Sequence, residues 1–147
     1  MSKYYKFSIA FIAVFVIDQI IKIVILNGFD IDTSCISITL TLNKGVAFSM
    51  FAFLGEYLKY IQVALIVLVI GYLIWEKHLL SEFSIAIGFI LAGGISNILD
   101  RFVHGGVVDY IHWHCGFEWA IFNFADIMIN LGVAIILYLT FFKKKSK

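Results

Sequence analysis

Proline is absent from the 147 residues. No helix is therefore forced to kink where a ring replaces a backbone N–H. Charge is scarce as well. Asp, Glu, Lys and Arg make up 14% of the chain, against about a quarter in a soluble domain. With 62% hydrophobic residues and a mean hydropathy of +0.98, that scarcity excludes an ordinary soluble domain. Net charge is only +1 and no basic footprint for nucleic acid is present. Cysteine is limited to Cys35 and Cys115. One disulfide is conceivable, but without geometry the expectation is two unpaired thiols.

What the chain does have is long apolar runs. A bilayer core takes about 20 mostly apolar residues per helix. Residues 7–26, 60–75, 83–102 and 119–142 meet or approach that length. The second is short and can extend back through 56–59. The fourth is long enough to begin as surface structure. The N-terminal run imitates a signal peptide, yet it is long, carries Asp18 and Lys22, and has no small-x-small site after it. It is expected to be retained as the first span. The fold expected is an all-α membrane protein, a four-helix bundle formed as one domain over residues 1–147.

Basic residues set the expected orientation. Lys3 and Lys6 precede the first span, and Lys143, Lys144, Lys145 and Lys147 follow the fourth. An even number of spans puts both ends on one side, so both termini are expected in the cytoplasm. The link 76–82 then lies inside, and the links 27–59 and 103–118 face outward. Ile36-Ser-Ile-Thr-Leu-Thr-Leu42 alternates apolar and polar residues. It predicts a strand with Ile36, Ile38, Leu40 and Leu42 on one face. Asn43-Lys44-Gly45 reads as a turn. Residues 46–58 are apolar enough to lie on the membrane surface. Residues 107–114 and 117–122 read as two strands around Cys115-Gly116. These outer links predict a small β-rich extracytoplasmic platform.

Four acids interrupt this apolar sequence: Asp18, Asp100, Asp109 and Asp126. An ionisable group at membrane depth marks a functional site by default. At the helical rise, Asp18 falls about 12 Å below the outer interface. Asn97 falls about 9 Å below it on the third span, with Asp100 and Arg101 nearer the rim. Asn123 and Asp126 fall at most about 10 Å deep on the fourth. Asp109 lies in the outer link. Three helices and a loop thus bring polar groups to one layer. Asp18 and Lys22 share a helix stripe, as do Asn97 and Arg101, and as do Asn123, Asp126 and Asn130.

The acids divide by their neighbours. Asp18 has Lys22 one turn away, and Asp100 abuts Arg101, so each is expected to form a supporting ion pair. Asp109 and Asp126 have no local basic partner. Two readings compete for them. As a pair brought together in a semi-dry site they share a proton and activate water against a carbonyl. Alternatively they are held by asparagines as a structural network. A small carrier or ion-binding protein using the buried acids is the other class considered, but such acids should line a path through the bilayer and the inner half holds none of these. His104, His112, His114 and Cys115 suggest a metalloprotease only weakly: no His-Glu-x-x-His is present, and Cys115 points away from the face shared by His112 and His114. No metal and no cofactor are expected.

At these residues the chain resembles the lipoprotein signal peptidase (type II signal peptidase) family. Asp18-Gln-Ile-Ile-Lys22, Asn43-Lys-Gly-Val-Ala-Phe48, Gly93-Gly-Ile-Ser-Asn97-Ile-Leu-Asp100-Arg101, Gly106-Val-Val-Asp109-Tyr-Ile and Phe122-Asn123-Phe124-Ala125-Asp126 are similar to its five motifs, in order. The resemblance implies an aspartic endopeptidase of the bacterial inner (cytoplasmic) membrane. It would remove signal peptides from prolipoproteins before a diacylglyceryl-modified cysteine, in contact with membrane lipid. Asp109 and Asp126 would be the catalytic dyad. Asn43, Asn97, Arg101 and Asn123 would position dyad and substrate, and Asp18 and Lys22 would be structural or supporting; Asp100, from its place beside Arg101, is read as structural too. Globomycin-type cyclic peptides would be inhibitors. Ser96 departs from the family's usual glycine, and residues 112–119 match no motif.

Overall fold

A computed structural model describes residues 2–45 and 51–142. Five helices and two strands occur in the order α1 (Lys3–Leu26), β1 (Ile36–Asn43), α2 (Tyr57–Trp75), α3 (Lys77–Glu82), α4 (Ser84–Val103), β2 (Val107–Trp113) and α5 (Phe124–Phe141). A 3-10 turn, Ala52–Leu54, precedes α2. Helices α1, α2, α4 and α5 are long and apolar enough to cross a membrane. The second span does extend back, to Tyr57. The link 76–82 contains the short helix α3. The expected surface segment lies partly at 46–50, outside the described residues.

Helix α4 is the centre of the bundle, and glycine makes that possible. A Cβ on Gly93 would sit 2.7 Å from the Ala125 carbonyl oxygen of α5, and one on Gly132 would sit 2.7 Å from the Ala86 carbonyl oxygen of α4. On the other side, a Cβ on Gly88 would meet Ala10 Cβ of α1 at 2.9 Å. Lipid tails provide no hydrophobic drive between helices, so close backbone approach at small residues supplies the packing. The outward faces stay apolar and exposed: Trp75 is 83% accessible and Leu68 69%. Helix α2 buries only Leu58. Lys3 Nζ donates to the Lys77 carbonyl, so the start of α1 and the α3 link share one end of the bundle.

The interior has two apolar clusters. One joins Phe83, Ala86, Ile87 and Leu91 to Phe7, Phe11 and Ile135 near the α3 end. The other joins Ile25, Val108 and Tyr110 under the strands. Polar side chains occupy the layer between, which is an inversion of the usual soluble core.

Strands β1 and β2 pair antiparallel, with Ile38 opposite Ile111, Thr41 opposite Asp109 and Asn43 opposite Val107. Thr39 and Leu40 therefore face the single residue Tyr110, which is a β-bulge. The bulge corrects the expected strand face. Strict alternation would keep Ile36, Ile38, Leu40 and Leu42 together. The extra residue instead transfers Thr41 and Asn43 to the face that carries Asp109 and Ile111, and Leu42 to the opposite one. Ile36, Leu40 and Leu42 are all exposed, whereas Ser37 is buried.

Two other expectations change. The segment 117–122 is not a full strand; it meets β2 at an isolated bridge, Ile111 to Phe122, and where Trp119 N donates to the Trp113 carbonyl (3.0 Å). And Cys35 and Cys115 are disulfide-bonded rather than free thiols. The strand register brings them together: Ile36 pairs with Trp113, and His114 N–H donates to the Cys35 carbonyl at 3.0 Å.

Candidate active site

The N-terminus of α5 organises the polar layer. A helix leaves four N–H groups without intrahelical partners at its start. Here all four find one. Asn123 N donates to Asp126 Oδ2 (3.2 Å), and Asp126 N donates to Asn123 Oδ1 (2.9 Å), closing a capping box. Phe124 N donates to the Tyr110 hydroxyl (3.1 Å) and Ala125 N to Asp18 Oδ1 (2.8 Å). These contacts explain why α5 starts at Phe124 and not at residue 119. They also place Asp126 in the first turn, where a helix favours negative charge.

Asp109 reaches the same point from β2. Its Oδ1 accepts from Asn123 Nδ2 (2.7 Å) and its Oδ2 from Asn43 Nδ2 (2.9 Å). The second bond exists because the bulge turns Asn43 onto this face. Asp126 Oδ1 accepts from Asn97 Nδ2 (2.9 Å). Each carboxylate thus has both oxygens hydrogen-bonded, and Asn123 contacts both residues. Burial pushes the Asp109 carboxyl up to about 6, and the nearby Asp126 charge adds to this while the Asn43 and Asn123 amides oppose it. Both acids line one cavity of about 700 Å³, together with Asn43, Gln62, Asn97, Arg101 and Asn130.

Asp18, Lys22 and Asp100 form a buried cluster behind the cavity. The Lys22 ammonium lies 2.7 Å from Asp18 Oδ2, 2.7 Å from Asp100 Oδ2 and 2.9 Å from Asn97 Oδ1. An ammonium has three N–H donors, and all three are used. Lys22 does not reach toward solvent. Asp100 also accepts from Val108 N (3.1 Å) and Gln19 Nε2 (3.1 Å). The expected Asp100–Arg101 pair is therefore corrected: adjacent residues on a helix point about 100° apart, so they do not face each other. Arg101 instead grips the turn after β1, donating to the carbonyls of Asn43 (3.3 Å) and Gly45.

The four acids noted in the sequence therefore form one connected network. Sequence reasoning gave no role to Gln19 or Gln62. Gln19 links Ser96 Oγ (2.8 Å) to Asp100. Ser96 Oγ donates to Asp18 Oδ2 (2.7 Å), which gives the hydroxyl at this position a partner. Gln62 lines the cavity from α2; the signal for it was a lone amide in an otherwise apolar run. His112 and His114 lie apart from the acids, their rings 5.1 Å apart, with His114 Nε2 2.8 Å from Ser37 Oγ. Among the described residues no group of three His, Cys, Asp or Glu side chains is arranged to hold a metal ion.

The chain is similar to known proteins over nearly its whole length. A lipoprotein signal peptidase of Wolinella succinogenes is 54% identical over 135 residues, covering 92% of this chain and 92% of that protein. One of Campylobacter jejuni is 50% identical over 151 aligned residues, covering 100% and 97%. One of Sulfurimonas denitrificans is 52% identical over 134 residues, covering 91% and 86%. A solved bacterial membrane enzyme superimposes with a TM-score of 0.78 at 26% identity, covering 95% of this chain and 89% of its own. A second, at 22% identity, shares the fold with a TM-score of 0.77. The family model for signal peptidase (SPase) II matches residues 10–142, and the chain belongs to that family.

Proposed function

We propose that this chain is an aspartic endopeptidase that removes the signal peptide from diacylglyceryl-modified prolipoproteins, cutting before the lipidated cysteine. The observation that carries this reading is the meeting of Asp109 and Asp126 in one cavity, with Asn123 bonded to both. Asp109 holds the shared proton, consistent with its raised pKa of about 6. Asp126 takes a proton from water, and the resulting hydroxide attacks the scissile carbonyl. Asp109 donates its proton to the carbonyl oxygen, so the tetrahedral intermediate forms without a free oxyanion. Collapse returns a proton to the leaving amine.

Asn43, Asn97 and Asn123 hold the two carboxyls in register. Arg101 fixes the turn that presents Asn43. Asp18, Lys22 and Asp100 are structural: Asp18 caps α5, Lys22 orients Asn97, and Asp100 holds Lys22 and the start of β2. The acyl chains of the substrate and membrane lipid cover the apolar faces around the cavity. A globomycin-type cyclic peptide would occupy the same cavity.

The protein works in the bacterial inner (cytoplasmic) membrane with both termini in the cytoplasm and the dyad near the outer face. The lysines before α1 and after α5 support this orientation by the positive-inside rule. The Cys35–Cys115 bond supports it too, because disulfides persist on the oxidising side. The site requires water to enter only from that side.

The test uses purified protein with a diacylglyceryl prolipoprotein. Asp109→Asn and Asp126→Asn should each fold and lose at least about a thousandfold in turnover, in line with removal of an acid–base group. Full cleavage by either variant would end the aspartic assignment.

A further inference from the structure

Helix α2 contributes four residues to the cavity: Gln62, Leu65, Ile66 and Val69. Their spacing of i, i+3, i+4 and i+7 is one helical stripe. Three are apolar, so Gln62 is the hydrogen-bonding group that α2 presents there. Its Oε1 is buried and has no hydrogen-bond partner. Burying an unpaired amide carbonyl is unfavourable, and the rest of α2 is almost entirely exposed apolar surface. Packing does not require an amide here. A leucine would satisfy the same stripe.

The position also matches the chemistry. Ile66 Cδ1 lies 3.3 Å from where a Cβ on Gly94 would stand. Helices α2 and α4 run antiparallel, so Gln62, one turn before Ile66, lies level with the turn of α4 that follows Gly94, where Asn97 sits. Gln62 is thus in the layer of the dyad. A peptide bond can be cut only in an extended or unwound segment. Such a segment at membrane depth exposes backbone N–H groups that neither lipid nor its own helix can satisfy. The Asp109 and Asp126 oxygens are already engaged by asparagine amides and backbone. An acceptor on the opposite wall is what an extended peptide lacks, and Gln62 Oε1 is one.

We propose that Gln62 is a peptide-binding residue, its side-chain carbonyl accepting one backbone N–H of the substrate segment beside the cleaved bond. The inference rests on the dyad reading above. It adds a contact that selects for an extended backbone and not for any side chain.

The experiment pairs Gln62→Leu with a set of prolipoprotein peptides. Each peptide carries one ester in place of an amide within three residues of the cut, which removes a single N–H donor. Wild type should lose about tenfold in kcat/KM on one ester, the loss of one hydrogen bond. Gln62→Leu should lose about tenfold on the all-amide peptide and show no further loss on that ester. Its melting temperature should equal or exceed that of wild type, since an unpaired polar atom has been removed. If Gln62→Leu fails to accumulate, Gln62→Met, of similar length, should give the same pattern. Wild-type kinetics for the variant on the all-amide peptide, or equal ester losses in variant and wild type, would overturn the proposal. An active Asp109→Asn would instead sink the dyad while leaving the ester coupling to report on Gln62 by itself.

Discussion

Lys22 shows how one residue's role depends on its partners. Sequence spacing links it to Asp18 alone, but the fold gives it Asp100 and Asn97 as well. Removing the ammonium leaves two buried carboxylates without a counter-charge. Lys22→Met should therefore lower stability by about 3–5 kcal/mol, as breaking a buried pair does; detergent-stable yield and thermal melting measure this. A Lys22→Met protein that melts like wild type would remove the cluster's structural role. Asp109 makes a second prediction. Its raised pKa means it carries the proton below about pH 6 and loses it above. If it is the acid, kcat/KM falls as pH rises through about 6. A rise through the same interval would make Asp109 the base and exchange the two roles. The sequence marked these acids by their apolar surroundings, and the isolation of Asp109 and Asp126 from local cations set them apart from Asp18. It paired Asp100 with its chain neighbour because contacts made 78 residues away along the chain, from Lys22, leave no local trace.

At the scale of elements, apolar run length and composition located the helices, because each run must cover the same hydrocarbon thickness. Their ends depended on caps. Helix α5 begins where Asn123, Tyr110 and Asp18 satisfy its first N–H groups, and two of those three lie elsewhere in the chain. The bulge at Thr39 and Leu40 was equally invisible, since alternation in β1 is unbroken and only pairing with β2 reveals the extra residue. The approach of α4 to α5 gives a direct test. Gly93→Val must displace the Ala125 backbone, 2.7 Å from the added Cβ, and with it Asn123 and Asp126. Overpacking of this kind lowers stability by about 1–3 kcal/mol, and turnover should fall with it. Gly71, with nothing within 4 Å of a built Cβ, is the control. Gly71→Ala should be as active as wild type and stabler by about 1 kcal/mol, the helix-propensity difference. Equal melting of Gly93→Val and wild type would show that α4 and α5 have room to spare.

For the whole molecule, strands β1 and β2 are tied to one another through Cys35 and Cys115, 80 residues apart. Protein purified from membranes should resist maleimide labelling until reductant is added, and then take two labels. Labelling of both thiols without reductant would remove the bond and one support for the outward orientation. The double Cys35→Ala, Cys115→Ala variant should lose about 2–4 kcal/mol of stability while keeping its helices. What the sequence determined by itself was the membrane class, the number of spans, the convergence of the acids on one layer of the bundle and the family. Those follow from run length, helical rise and local motif, which are properties of consecutive residues. The tertiary structure alone decided that Lys22 serves two carboxylates, that a bulge turns Asn43 toward Asp109, that the cysteines pair, and that Gln62 lines the cavity of the acids. Each of these depends on register and approach between segments distant in sequence, where a shift of one residue reverses which side chains meet.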